Sequence, residues 1–219
     1  MSLESTGLLP RACIIRPASP GDEPGAYHVC LKTGNHGADG EPFYRDDPDA
    51  LGRVYVGPYL AFERDFSLIL EDAEGICGYA LGALDSRAFY ARYESEWRPD
   101  LCARFPAPQG DPAGWTRAQH VHHGYHHPDY FCPDPYDRYP SHAHIDLLAR
   151  AQGRGYGRRM LEQVVEALGR RGSPGVHLGV STLNSRAFAF YERLGFQELT
   201  RDGEATDGCI YMGRATGRR

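Results

Sequence analysis

The run Ala149-Arg150-Ala151-Gln152-Gly153-Arg154-Gly155-Tyr156-Gly157-Arg158-Arg159 constrains this chain more than any other stretch. Ahead of it, His144-Ile145-Asp146-Leu147-Leu148 reads as a strand; behind it, Met160, Leu161, Val164, Val165 and Leu168 recur at helical spacing. Strand, glycine-rich turn and amphipathic helix in that order point to an α/β arrangement. Glycine lets a backbone approach a ligand closely, and the first amides of a helix have no internal acceptor. Such an end favours an anion, most often a phosphate. The residues around it are basic: Arg150, Arg154, Arg158 and Arg159. The stretch therefore predicts a pyrophosphate seat, although an ordinary tight turn uses the same residue types. The glycines fall as G-x-G-x-G, which is not the dinucleotide fingerprint, and the Lys-Ser/Thr close of a nucleotide P-loop is missing.

Bulk properties narrow the classes. A chain of 219 residues with 41% hydrophobic and 24% charged content is long enough for one domain, 1–219, with a sizeable core. A net charge of −5 argues against a general nucleic-acid binder. Local basicity at 150–159 within an acidic chain suits a compact anionic ligand instead. Six scattered cysteines form no Cys-x-x-Cys pair, and several sit in apolar runs, so reduced thiols and a cytoplasmic setting are expected. No leader is visible in residues 1–10, and no apolar run approaches the ~20 residues that span a bilayer. A monomer or a homodimer is equally compatible with these properties.

In order, Ala12–Arg16 reads as a first strand ended by Pro17, and Ser19 to Glu23 as a helix start with acidic residues in its first turn. Residues 33–42 are dense in turn formers and read as a loop. Asp49 to Glu63 reads as one helix that Gly57-Pro58 kinks or shortens. Residues 66–70 and 75–84 form a hairpin around Asp72-Ala73-Glu74-Gly75. Residues 85–141 read as an insertion whose eight prolines beyond Trp97 break long regular elements. Val176, Leu178 and Val180 alternate as a strand, and residues 197–201 and 208–213 close the chain as a strand pair.

Gln152, Gly155 and Gly157 spell Gln-x-x-Gly-x-Gly, and Asn184-Ser185-Arg186-Ala187-Phe188-Ala189-Phe190-Tyr191-Glu192-Arg193-Leu194-Gly195-Phe196 spells Asn-x-x-Ala-x-x-Phe-Tyr-x-x-x-Gly-Phe. Together these resemble the GNAT N-acetyltransferase superfamily. A narrower resemblance lies in Leu70-Glu71-Asp72, Gly75-Ile76-Cys77-Gly78-Tyr79-Ala80-Leu81-Gly82, Trp97 and Pro99. Those residues are similar to the acetyltransferase-like C-terminal domain of animal O-GlcNAcases, extending loosely from Arg16 to Gly213. That domain has lost the glycine loop this chain keeps, and no glycosidase half is present here.

The resemblance implies a mixed, mostly antiparallel sheet of about seven strands splayed between the fourth and fifth, with helices on its faces. It implies acetyl-coenzyme A as co-substrate and a small-molecule or peptide amine as acceptor. Carried over, the amides of Gly153, Arg154, Gly155, Tyr156 and Gly157, beside Gln152, hold the pyrophosphate. Backbone groups of Leu147, Leu148 and Ala149 bind the pantetheine and thioester oxygen, and Asn184 bonds the pantetheine amides or caps its helix. Tyr191 takes the position of the acid that protonates the leaving thiolate, against the alternative of a core tyrosine. Asp146 is the candidate base or acceptor-ammonium ligand, with His144 and then His142 on the same strand face. A module that binds coenzyme or partner without turnover uses the same loop. His120, His122, His123, His126 and His127 crowd one segment, but without a zinc spacing. They read as a polar lid, and no metal ligands are assigned.

Overall fold

Alternating apolar residues between turn-forming clusters become strands, and the 3.6-residue periodicities become the helices that cover them. The structure, a computed structural model, describes residues 12–129, 134–203 and 208–217. Its first half runs β1 (Ile14–Pro17), α1 (Glu23–Thr33), α2 (Ala50–Tyr55), α3 (Gly57–Phe62), β2 (Leu68–Asp72) and β3 (Gly75–Ala83). Then come α4 (Ser86–Arg92), α5 (Arg98–Arg104), α6 (Arg117–His126) and β4 (Ser141–Leu147). The chain closes with α7 (Tyr156–Arg170), β5 (Gly175–Ser181), α8 (Ser185–Arg193), β6 (Gln197–Asp202) and β7 (Cys209–Ala215).

The strands form one seven-stranded sheet in the order β1-β2-β3-β4-β5-β7-β6. Every join is antiparallel except β4 to β5, which run parallel and pair only at Ser141–Val176 and His142–His177. Beyond His142 the two strands part. The expected splay is therefore present, and it opens toward the glycine loop.

Local chemistry explains most boundaries. The β2–β3 hairpin turns at Gly75 with φ 107°, and Asp72 Oδ1 accepts from the Glu74 amide at 2.8 Å. Phe66, expected in the strand, belongs instead to a 3-10 turn that buries it in the core. The helix expected over 49–63 is two short helices. Val56, at φ −129° and ψ −54°, breaks them where Gly57-Pro58 opens α3. α8 ends in a Schellman motif: Gly195 takes φ 82°, and the amides of Phe196 and Gly195 donate to the Tyr191 and Glu192 carbonyls.

The core lies between the sheet and α7, whose Met160, Leu161, Val164, Val165 and Leu168 are all buried. Each such side chain contributes roughly 1.5–3 kcal/mol on burial. α7 can approach the sheet because Gly82 of β3 has no side chain; a Cβ there would stand 2.7 Å from Val164 Cγ1. In the 85–141 segment, α4 continues through a π-helical turn, Tyr93–Trp97, into α5. Tyr93, Leu101 and Tyr125 of this segment make a second small core. Trp97 Nε1 and the Tyr125 hydroxyl donate to the Arg53 and Ala50 carbonyls at 2.9 and 3.1 Å, fastening the segment to α2.

Gly82→Val forces α7 away from β3 and is expected to cost about 1–3 kcal/mol. Urea unfolding should show a lowered midpoint with an unchanged slope.

Candidate active site

The antiparallel register sets Tyr79 of β3 directly opposite Asp146 of β4. The Tyr79 hydroxyl donates to Asp146 Oδ2 at 2.7 Å and lies 3.0 Å from His144 Nε2. A phenol has one proton, so with that proton given to Asp146 the imidazole Nε2–H donates to the phenolic oxygen. His144 Nε2 also stands 3.3 Å from Asp146 Oδ2, closing a three-membered polar cluster. Burial pushes the Tyr79 hydroxyl far above its ordinary pKa, and the Asp146 charge adds to the shift. The Cys30 thiol beside Tyr79 is raised by the same two causes, so it is a neutral thiol at pH 7.

Asp146 faces a cavity of about 440 Å³ at the parting of β4 and β5, lined also by Leu147, Gln152, Gly155, Asn184 and Tyr191. Tyr191 reaches it from α8, its ring packed 5.3 Å from Phe190 and 5.9 Å from Phe196. It is thus both a core tyrosine and a wall of the cavity. Burial raises its pKa, with a further push from the Asp146 charge, so the phenol keeps its proton throughout the neutral range.

The glycine loop forms the other end. Gly153 and Gly155 take φ 72° and 79°, and a Cβ on either would meet nothing within 4 Å. The first intrahelical bond of α7 runs from the Arg159 amide to the Gly155 carbonyl, so the amides of Tyr156, Gly157 and Arg158 have no helical acceptor. A left-handed cradle with open space before it and three outward amides has the form that accepts a phosphate. The Gln152 side chain bridges the loop, donating to the Leu147 carbonyl at 2.6 Å and accepting from Arg186 of α8.

Not all sequence-predicted residues meet here. Leu148 and Ala149 lie beyond β4. The Leu148 amide donates to the Cys77 carbonyl, and the Leu148 and Ala149 carbonyls accept from the Ala151 and Gln152 amides, so those groups are spent. By the alternation of an antiparallel ladder, the Leu148–Cys77 bond turns the backbone of Ile145 and Leu147 away from β3, toward β5. The Tyr156 hydroxyl accepts from the Cys13 amide at 3.2 Å, and Arg154 reaches Cys13 Sγ at 3.8 Å, so both side chains point toward β1. Arg150 pairs with Asp72 at 2.8 Å. Asn184 caps α8, its Oδ1 accepting from the Ala187 amide at 3.0 Å, while it also lines the cavity.

His142 is buried away from the cavity, with Nδ1 2.7 Å from Ser86 Oγ and its ring stacked on Tyr90 at 8°. Burial, then the neighbouring His177 and His144, hold its pKa well below the ordinary value. The α6 histidines divide: His122 Nε2 lies 2.7 Å from Asp47, and His126 Nε2 lies 2.8 Å from the Phe105 carbonyl. Cys132 falls outside the described residues.

Sequence reading missed Tyr79 and named no single residue of the 33–42 loop, which the resemblance sets beside the acceptor site. Tyr79 owes its place to strand register. Thr33 and Gly37 line the cavity from the end of α1, where a Cβ on Gly37 would stand 2.7 Å from Asn184 Nδ2. His36 holds this loop against β5, its Nδ1 2.8 Å from Ser181 Oγ. The dense turn formers of 33–42 were the available signal.

A mixed sheet with one short parallel join and a phosphate-type loop at its divergence is the acyltransferase fold, and here a tyrosine faces a carboxylate across the gap. The chain belongs to the GNAT acetyltransferase family, whose profile, described as "Acetyltransferase (GNAT) family", matches residues 40–196. The crystal structure of SsHAT is 35% identical over 94% of this chain and 100% of that one, with a TM-score of 0.85. Protein O-GlcNAcase of Rattus norvegicus is 28% identical over 92% of this chain, which spans only 22% of that relative's length. The fold is shared, at 14% identity and TM-score 0.54, with yncA of Salmonella typhimurium, solved with its cofactor acetyl-CoA; 95% of this chain and 96% of that one are covered. Among the described residues, no helix is long and apolar enough to cross a membrane.

Gly155→Ala is expected to lower stability by about 1–2 kcal/mol through backbone conformation alone, since its Cβ would meet open space. Thermal unfolding of the variant beside Gly157→Ala, at a position where φ is not positive, checks that assignment.

Proposed function

We propose that this protein binds acetyl-coenzyme A between β4 and β5 and transfers its acetyl group directly to a primary amine. The observation that carries the reading is one cavity bounded by the glycine cradle, Asp146 and Tyr191. The family membership and a fold neighbour solved with acetyl-CoA support it.

The amides of Gly153 to Arg158 would hold the diphosphate, with Arg158, which lines the cavity, adding charge. The Leu147 and Ile145 backbone, turned into the gap, would meet the pantetheine arm and the acyl oxygen. Fixed amides stabilise charge developing on that oxygen without reorganising. Asn184 would add a side-chain amide from α8. When bound, the thioester supplies an activated acetyl group whose C–S bond breaks as a C–N bond to the amine forms.

The chain's own residues manage the protons. Asp146 receives the proton that an ammonium must lose before its nitrogen can attack, and the Tyr79 and His144 bonds fix the carboxylate's orientation. Tyr191 holds a proton on Oη for the departing sulfur. Because burial raises that phenol, its ionisation does not limit the rate at neutral or mildly alkaline pH.

Calorimetry with acetyl-coenzyme A is the direct test; absence of heat at millimolar ligand on folded protein refutes the reading. With a competent amine, Tyr191→Phe and Asp146→Asn should each lower kcat about 10²-fold while leaving coenzyme affinity intact. Thiol release measured from pH 6 to 10 should show no falling limb attributable to Tyr191.

A further inference from the structure

A second cavity, of about 920 Å³, lies beside the first. Its walls are aromatic: Tyr55, Tyr59, Phe89, Tyr90, Tyr93 and Tyr125, drawn from α2, α3, the α4–π segment and α6. Two of its lining residues, Tyr55 and Leu183, are large hydrophobics that are 49% and 51% exposed. Their accessible surface faces a cleft, where apolar area is most easily covered by a ligand.

The two cavities share a thin partition. Thr33 and Gly37 line the first while Gly34 and His36 line the second, and Asn184 and Leu183 divide in the same way. The Tyr55 ring stands 5.9 Å from that of His144, which touches Asp146. A ring lodged in the aromatic cavity against Tyr55 is thus separated from Asp146 by the single side chain of His144.

The chemistry of the walls selects that body. A phenol keeps its proton at pH 7, so the tyrosine walls of Tyr55, Tyr59 and Tyr93 are neutral. Among the described lining residues Asp129 is the only carboxylate, and Arg117 is engaged with Asn35 at 2.9 Å and with the Phe43 ring at 4.0 Å. A polycationic acceptor would need an acidic wall. The rings are also pinned in advance: Tyr59 packs 4.6 Å from Phe89, and Tyr90 stacks on His142. Flat, preset aromatic faces favour a flat apolar partner at low ordering cost. The volume lies at the upper end of the range for small-molecule sites, beyond what a short alkylamine fills.

Resting on the acetyl-transfer reading above, we infer that the acceptor is a primary amine carried on a flat, hydrophobic ring system, an arylalkylamine, with its ring in this cavity and its nitrogen at Asp146. Calorimetry without coenzyme tests the site: tryptamine and 2-phenylethylamine should bind at least tenfold more tightly than glucosamine, spermidine, kanamycin or a lysine peptide. Tyr55→Ala, at a half-exposed position, should weaken tryptamine roughly tenfold, Tyr55→Phe should restore it, and acetyl-coenzyme A affinity should be unchanged in both. Leu183→Ala should weaken tryptamine in the same direction. Equal or tighter binding of the sugar, polycationic or peptide amines overturns the inference, as does a Tyr55→Ala protein that binds tryptamine normally. Loss of acetyl-coenzyme A binding with tryptamine binding intact overturns the transfer reading instead.

Discussion

The structure depends on the parting of two strands that remain firmly held on their outer sides. β4 pairs with β3 over six positions, Gly78–Ala83 against His142–Leu147, and β5 pairs with β7 over all seven of its residues. Between them only two pairs form. Backbone groups left facing such a gap are costly unless something meets them. Here Gln152 bonds the Leu147 carbonyl, and the α1 end loop is fastened to β5 through His36 and Ser181. The gap is therefore a rigid slot with polar edges.

One carboxylate organises the electrostatics of that slot. Asp146 accepts from Tyr79 beside it and raises the pKa of Tyr191 across the cavity. Both phenols are already driven upward by burial. The nearby Asp146 charge adds to that shift, so the Tyr191 phenol keeps its proton beside the carboxylate. Tyr79 is too deeply buried to meet a ligand, and its part is to hold the carboxylate in place.

What the sequence disclosed was local. The glycine loop, α7, the Asn184 cap and the Gly195 stop are each written in residues within a few positions of one another. Steric freedom at positive φ, side-chain capping and helical period act at that range. The two-helix break at Val56 is legible in Gly57-Pro58, as a kink or a shortening of one helix. What the sequence did not disclose depends on register and docking. Tyr79 meets Asp146 because β3 and β4 align as they do, and a slip by one residue would turn it to the other face. Leu148 reads as the end of the strand, but β4 stops at Leu147, and the 3-10 turn over Ala149–Ala151 takes up the Leu148 and Ala149 carbonyls. Tyr55 becomes a wall only when the 85–141 segment packs on α2 through Trp97 and Tyr125, which lie tens of residues away.

The arginines make the same distinction for charge. Four of them crowd the glycine loop in sequence, yet the fold distributes them. Arg150 goes to Asp72, Arg154 toward Cys13 and Arg159 to 6.0 Å over the Tyr156 ring, leaving Arg158 on the cavity wall. The fold then brings Arg186 and Arg193 to that wall from α8, a separate element of the chain. Positive potential at the slot is thus assembled from both of its sides, whereas the oriented amides come from the loop alone. A ligand whose anionic end sits on those amides must lie along the gap, between α7 and α8, to meet both sources. That direction leads from the cradle past Leu147 to Asp146 and Tyr191, so on the proposed reading the anion seat would set the axis along which the reacting groups are placed.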